Sequence, residues 1–335
     1  MATFSTLIHG DLPPAGDKIH WREKSKPLPS FDGFDAYWVD SGTSALALAI
    51  IAAKTLRPAI KKPQVILPSY CCPDLVAAAV YANVEPILVD IGDDDPGYDL
   101  NQLQNAINSH TIAVIAVNFL GITERLSEIR TLLPEDIFLI EDNAQCYEAM
   151  HDANSLTGEF AITSFGRGKP VSLLGGGLMI VKKALNKGLG LEQHIDEAGE
   201  PKLYNLKVAL YNLLLTPQLY LWVNRNPFLK LGETHYKKLQ SIKKLDLQRE
   251  RLLGCNVQNH MSASSIQSDN NSQIFNNKVS SVIKSLPNEL NHRKKRLLRH
   301  PILARNNTQR NALMNESKRL GLGCSTMYQI PLIEI

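Results

Sequence analysis

Residues 137–145 read Ile-Phe-Leu-Ile-Glu-Asp-Asn-Ala-Gln, a short apolar run that ends in an acidic pair. The run has no alternating polar positions, which is typical of a strand buried on both faces of a sheet. In an open α/β sheet, ligands bind outside the carboxyl ends of the strands. Asp142, which directly follows such a strand, is therefore a candidate functional residue.

Similar apolar runs recur on both sides of this stretch, and segments with helical spacing of apolar residues separate several of them. The runs are 36–39, 65–67, 86–89, 112–117, 160–162 and 178–181, and the helical segments are 45–53, 74–81, 100–107 and 124–133. This alternation predicts an open α/β sheet. After about residue 185 the pattern becomes helical and polar, which predicts a second, smaller domain. Within it, the Asn/Ser/Gln-rich stretch 256–277 predicts a loop or weakly ordered structure.

Composition narrows the class of protein. A chain of 335 residues that is 44% hydrophobic can form a large core. Lys and Arg (36) barely exceed Asp and Glu (33), so no overall field indicates nucleic acid, and small-molecule partners are expected. The five cysteines form no CxxC pair, and their number is odd, which favours a reducing cytoplasm. Residues 1–9 lack a basic region followed by an apolar one, so no secretory signal is predicted.

The segment 203–231 is rich in Leu, Tyr and Val. Polar residues and Pro217 interrupt it, so no apolar stretch approaches the about 20 residues that a membrane-spanning helix needs. We predict no transmembrane span here, but a helical pair that is broken at Pro217 and is buried or in contact with a dimer partner. An interfacial membrane anchor is the alternative.

A lysine loop follows the next predicted strand. Residues 163–169 read Thr-Ser-Phe-Gly-Arg-Gly-Lys, and the glycine run 175–177 comes soon after. Lys169 lies between glycines and Pro170, so it is not placed on a solvated helix face. An acid after one strand, with a hydroxyl and a lysine after the next, is the arrangement that a pyridoxal phosphate pocket needs. Asp142 would then face the pyridine nitrogen, although a helix N-cap is the commoner role of a loop aspartate.

Gly42 and Thr43 lie at a predicted helix start, where free backbone amides favour a phosphate, with simple capping as the alternative. Other motifs fail. A GxxxxGK loop would need a first glycine at position 163 and a hydroxyl at position 170, but these are Thr and Pro. No GxGxxG follows a strand, and the nine histidines show no metal-ligand spacing, so no metal site is predicted.

Together, these motifs resemble those of the DegT/DnrJ/StrS-type nucleotide-sugar aminotransferases, which are fold type I enzymes that depend on pyridoxal phosphate. The matching stretches are Ser41–Ala45 (the Gly-Thr phosphate contact), Pro68–Tyr70, the strand Pro86–Ile91, the EDxAQ signature at Glu141–Gln145, and SFxxxK at Ser164–Lys169. The resemblance covers most of the chain.

The resemblance implies a role for each matching residue in a cofactor site. Lys169 would form the Schiff base and move the proton, and Asp142 would pair with the pyridine nitrogen. Gln145 would approach the 3-oxygen of the ring. The phosphate would be held by Ser164, Gly42 and Thr43, with Arg167 as a possible neighbouring cation. Tyr70 is a candidate ring contact because Cys72 replaces the stacking aromatic that the family places two residues later.

The implied fold is α/β, with a three-layer, mostly parallel sheet and a smaller α+β domain. We expect an N-terminal arm at 1–32 that joins the small domain, a cofactor-binding large domain at 33–185, and a helical connection with the small domain at 186–335. Family members continue beyond the stretch that resembles 321–332, so the small domain is expected to be truncated at its end. A homodimer is also implied.

The implied activity is transfer of an amino group from glutamate or glutamine to a keto sugar, nucleotide-linked, for surface polysaccharide or secondary-metabolite synthesis. Cys72 and Asn118, which replaces a family histidine, motivate an alternative: a non-catalytic relative that binds a sugar nucleotide or a partner protein. A dehydratase is disfavoured because family dehydratases replace the lysine with histidine. The family's NYRM stretch is only weakly matched at Gln258–Met261, and no residue is assigned there. The basic run His292–Arg296 is expected to be a solvated helix face, with a substrate diphosphate contact as the alternative.

Overall fold

The protein was analysed as a computed structural model that describes residues 10–13, 16–150, 156–224, 235–262, 284–285, 288–328 and 332–334. Its central sheet has seven strands in the order β1-β7-β6-β5-β4-β2-β3. The strands are β1 (Phe34–Val39), β2 (Gln64–Pro68), β3 (Glu85–Val89), β4 (Thr111–Val117), β5 (Phe138–Asp142), β6 (Phe160–Ser164) and β7 (Gly177–Lys182). All are parallel to one another except β7, which runs antiparallel to its neighbours β1 and β6.

Helices cover both faces of this sheet. The longer ones near it are α1 (Gly42–Leu56), α2 (Asp74–Tyr81), α3 (Leu100–Ala106) and α4 (Leu126–Leu132). Along β2, Val65 and Leu67 belong to the core that contains α1 and α2, whereas Ile66 belongs to the core that contains α3 and α4. This alternation explains why the strands are apolar throughout, and it gives the three-layer arrangement that the sequence predicts.

The remaining elements follow the sheet in sequence. They are the helices α5 (Lys183–Asn186), α6 (Tyr204–Leu214), α7 (Pro217–Asn224), α8 (Leu247–Ser262) and α9 (Asn307–Leu320), and the two-residue strands β8 (Ile195–Asp196), β9 (Ile242–Lys243), β10 (Lys284–Ser285) and β11 (Ile302–Leu303). The predicted loop from Asn256 is wrong for its first residues, because 256–262 continue α8. Leu252, Leu253 and Val257 bury one face of that helix, which outweighs the modest helix propensity of Asn and Ser. Residues 263–277 lie outside the described part.

The apolar segment after residue 203 forms the helical pair α6 and α7, which is interrupted just before Pro217 as predicted. Tyr204 and Val208 are buried, but the opposite face of the pair is open: Leu206 is 62% exposed and Trp222 is 73% exposed. Within the described residues, no helix is long and apolar enough to cross a membrane. Contact of this face with a dimer partner or with a membrane surface stays a prediction.

A histidine in α8 ties together segments that are distant in sequence. His260 Nδ1 lies 3.1 Å from an Asp17 carboxylate oxygen, and its Nε2 lies 2.9 Å from a Glu148 oxygen. Arg296 Nη1 donates to the His260 carbonyl at 3.2 Å. Burial lowers the pKa of His260, but the hydrogen bonds to the two carboxylates more than offset it, so the net pKa is raised. The protonated ring therefore joins the N-terminal segment to the turn after the EDxAQ signature.

This cluster predicts a pH dependence of stability. The stabilisation by His260 is complete below the unfolded histidine pKa of about 6.5, and it is lost as pH rises through the raised folded value. Burial raises the pKa of Glu141 to about 7. Ionising this carboxylate also lowers the free energy of unfolding as pH rises, and it does so equally in wild type and in a His260 variant. We expect the free energy of unfolding in urea to fall more steeply with rising pH in wild type than in His260→Gln. Parallel curves would show that the cluster contributes nothing.

Candidate active site

The predicted site residues meet at one edge of the sheet. Asp142 is the last residue of β5, and Ser164 is the last residue of β6. Gly42 begins α1 just after β1, and Tyr70 follows β2. Because these strands are parallel, their carboxyl ends lie at the same edge, and the loops that follow them form one site.

Asp142 is a buried carboxylate whose charge is affected by Lys169. Its Oδ1 accepts a hydrogen bond from the Ala144 amide at 2.9 Å, so this oxygen stabilises the loop. Burial raises the pKa of Asp142, and the Ala144 amide and the charge of Lys169 oppose that increase. A buried carboxylate is costly unless a cation faces it, and a protonated pyridine nitrogen would be such a cation.

Lys169 lies on a tight turn after β6 and not on a helix. Its amide donates to the Gly166 carbonyl at 3.3 Å, and Gly168 has φ +74°, a conformation that glycine adopts without strain. The lysine also opposes the increase in the pKa of Cys72, so its amino group is close enough to influence both Cys72 and Asp142. The structure therefore brings together the lysine and the acid that the sequence predicts.

The start of α1 packs closely against Ser164. A Cβ added to Gly42 would lie 2.6 Å from Ser164 Cβ and 2.8 Å from its Oγ, so only glycine fits. Ser41 caps the helix, since its Oγ accepts from the Ser44 amide at 3.1 Å. The capping role thus belongs to Ser41. The first-turn amides at Gly42 and Thr43, beside the Ser164 hydroxyl, form a cradle suited to a phosphate.

The close contact gives a test of the cradle. Gly42→Ala is expected to lower the free energy of unfolding by about 1–3 kcal/mol, because the new methyl group forces α1 away from Ser164. It should also weaken phosphate binding by the protein. Gly199→Ala is the control, since nothing lies within 4 Å of its added Cβ, and it should change stability by no more than about 0.5 kcal/mol. Urea unfolding and phosphate titration measure both effects; equal stabilities for the two variants would contradict the model of the cradle.

An aromatic wall borders the site. We use this name for Tyr70, Phe119 and Tyr328, whose ring centroids lie 5.7–6.2 Å apart. Gln145 Nε2 donates to the Tyr328 hydroxyl at 3.0 Å, and the Leu120 amide donates to Gln145 Oε1 at 3.3 Å. Gln145 is therefore held by the wall, and its contact with a cofactor oxygen stays a prediction. Sequence reasoning missed Tyr328, although it noted the segment around it.

The two departures from the family pattern have different structural roles. Burial raises the pKa of the Cys72 thiol to about 12, so the group that replaces the expected aromatic is a neutral thiol. Asn118 is fully buried; its Oδ1 accepts from the Glu124 amide at 2.7 Å, and its Nδ2 donates to Asn143. Asn118 thus stabilises the loop after β4.

Charged residues of two sequence motifs are structural. Glu141 is buried and accepts hydrogen bonds from the Thr157 and Gly158 amides at 2.7 and 2.6 Å. The expectation of a solvated helix face at His292–Arg296 is wrong for Arg293, which is buried and pairs with Asp95 at 2.5 Å. The basic run alone could not predict this pair, because Asp95 lies far from Arg293 in sequence. In the described part of the chain, no group of His, Cys, Asp or Glu side chains is arranged to hold a metal ion.

Residues 35–187 match the model of the DegT/DnrJ/EryC1/StrS aminotransferase family. They include the central sheet except Phe34, the first residue of β1, and they contain Asp142 and Lys169. This match agrees with the resemblance that the motifs of the segment show to that family. A search of curated proteins found no significant match.

Solved structures share the fold. A DegT DnrJ EryC1 StrS aminotransferase from Brucella abortus is 20% identical, with 89% of this chain and 72% of that chain covered and a TM-score of 0.61. The E. coli GDP-4-keto-6-deoxy-D-mannose-3-dehydratase with bound hydrated PLP is 18% identical, with 89% and 75% covered and a TM-score of 0.64. S. venezuelae DesV, in complex with a ketimine intermediate, is 18% identical, with 89% and 71% covered and a TM-score of 0.58. These matches confirm the predicted fold class.

Proposed function

We propose that this protein is a pyridoxal phosphate-dependent aminotransferase that moves an amino group from glutamate or glutamine to the keto group of a nucleotide-linked sugar. The observation that supports this best is the placement of Lys169 and the buried Asp142 at one sheet edge, within electrostatic reach of each other. The family of residues 35–187 supports the same class of reaction.

The residues fit the cofactor at both of its ends. Gly42, which has no Cβ, lets the start of α1 lie directly against Ser164, so the first-turn amides and the Ser164 hydroxyl are close enough to hold one phosphate together. Asp142 offers a buried carboxylate to the ring nitrogen. Pyridoxal phosphate, when bound, supplies a carbonyl carbon for the amino group and a ring that takes up the electron pair left when a proton departs.

The protein would contribute attachment, orientation and proton transfer. Lys169 would hold the cofactor covalently through Nζ and, once released, its free amino group would take a proton from the α-carbon of the amino donor. Asp142 would keep the ring nitrogen protonated. The aromatic wall covers one side of the site and excludes water, and the neutral Cys72 thiol leaves the charge balance between Lys169 and Asp142 undisturbed.

Two other functions are distinguishable. The E. coli neighbour is a dehydratase, but Lys169 is the residue that amino transfer needs, and it is present here. A non-catalytic relative that binds a sugar nucleotide or a partner protein would bind its ligand without reacting.

We further propose the arm, large domain and small domain at the boundaries given above, a cytoplasmic homodimer, and a role in making surface polysaccharide or a secondary metabolite.

The first experiment separates binding from reaction. Purified protein is mixed with pyridoxal phosphate, freed of excess, and examined for its visible absorbance. Glutamate or glutamine is then added alone, and the bound cofactor is expected to be aminated with loss of that absorbance. A panel of keto-sugar nucleotides then identifies the acceptor by recovery of the absorbance. A folded protein that takes up no cofactor would refute the proposal.

A further inference from the structure

Arg299 differs from the other arginines that are not exposed. In the described part of the chain, every other buried or half-buried arginine lies within ion-pair distance of a carboxylate. The pairs are Arg57 with Asp136, Arg125 with Glu124, Arg130 with Glu159, Arg249 with Asp246, Arg293 with Asp95, and Arg296 with Asp17. Among the same residues, Arg299 has no carboxylate partner.

The surroundings of Arg299 do not compensate its charge. Its Nη1 lies 3.3 Å from the Met327 sulfur, and a thioether is only a weak hydrogen-bond acceptor. Burial lowers the pKa of Arg299, and the nearby Tyr328 opposes this only in part. Withdrawing a guanidinium from water without a counter-ion costs free energy. Because the folded protein keeps the Arg299 guanidinium partly withdrawn from water without a counter-ion, this position indicates a binding site for an anion.

The position of Arg299 connects it to the candidate active site. Its contact residue Met327 directly precedes Tyr328, which belongs to the aromatic wall and accepts the hydrogen bond from Gln145. A ligand that extends from the sheet edge past the wall would therefore approach the guanidinium. A second arginine, Arg310, acts on the pKa of Tyr70 in the same wall, although that side chain is exposed.

We propose that Arg299 binds an anionic group of the substrate and so determines which substrates the site accepts. The group is the carboxylate of the amino donor or the diphosphate of the sugar nucleotide, both of which match the planar, bidentate geometry of a guanidinium. The identity of this group as part of a substrate rests on the proposed function; the anion site itself rests on the structure alone.

Equilibrium binding tests the site without requiring turnover. Glutarate represents the donor carboxylates and UDP the diphosphate, and calorimetry at fixed ionic strength measures their affinities for the full chain. Wild type is expected to bind one of the two, and Arg299→Gln should weaken that binding about 10- to 100-fold. Arg299→Lys keeps the charge but loses the bidentate geometry of the guanidinium, so its affinity for the probe should lie between those of wild type and Arg299→Gln. The exposed Arg305→Gln is the control and should bind like wild type.

The outcomes distinguish this inference from the proposed function. If Arg299→Gln binds the probe as wild type does, or if wild type binds neither probe, there is no anion site at Arg299, whatever the cofactor does. If Arg299→Gln loses binding of the probe while wild type takes up no pyridoxal phosphate, the anion site is supported and the aminotransferase proposal fails. Should Arg299→Gln not fold, as judged by circular dichroism, Arg299→Lys decides alone.

Discussion

Lys169→Ala is expected to abolish amino transfer and covalent retention of pyridoxal phosphate. The variant loses the only side chain that the site offers, within the described residues, for both attachment and proton movement. Loss of a positioned acid–base group alone slows such reactions by about 10²–10⁴-fold, and loss of the covalent link adds to this. The measurements are the rate of amino transfer, the visible absorbance, and the cofactor that remains on the denatured protein after borohydride reduction.

Two controls make the Lys169 result specific. Lys187→Ala removes an exposed lysine beyond the sheet and should leave all three measurements unchanged. Circular dichroism and urea unfolding should show that Lys169→Ala folds like wild type, because the side chain is only half-buried in a turn. Borohydride-stable cofactor on Lys169→Ala would mean that another lysine forms the link, and the assignment of this residue would be wrong.

The sheet and its functional edge could be predicted from sequence because both depend on local patterns. A strand buried on both faces must be apolar along its length, so the run before Asp142 identifies β5 without its neighbours. The parallel arrangement then places the residue after each strand at the same edge. For this reason Asp142, Ser164 and Lys169 could be assigned to one site, although they follow two different strands.

The wall and the anion site could not be predicted, because they depend on contacts between distant segments. Gln145 and Tyr328 lie 183 positions apart in sequence and meet only in the folded chain. Arg299 is noticed only when the partners of all the other arginines are known. The basic run 292–296 shows the same limit, since Asp95, whose carboxylate neutralises Arg293, lies 198 positions away in sequence.

Asp142→Asn is expected to separate catalysis from stability. The amide keeps the size of the carboxylate and can still accept the Ala144 hydrogen bond, but it cannot hold the pyridine nitrogen protonated. Removing one preorganised electrostatic partner typically costs about 10²–10³ in kcat. We therefore expect a loss of that size in amino transfer, with weaker cofactor binding. Asp136→Asn, which changes an exposed carboxylate that pairs with Arg57, should leave the rate unchanged.

Stability should move in the opposite direction. Because burial raises the pKa of Asp142 in the folded protein, ionising it disfavours the folded state at every pH above the unfolded value of about 3.9. The cofactor-free Asp142→Asn variant should therefore unfold at a urea concentration equal to or higher than that of wild type at pH 7, and the difference should vanish at pH 3. A variant that loses both activity and stability would assign Asp142 to the fold. A variant with a lower rate of amino transfer and a higher free energy of unfolding would show that the folded chain keeps a destabilising charge at this edge because the cofactor needs it.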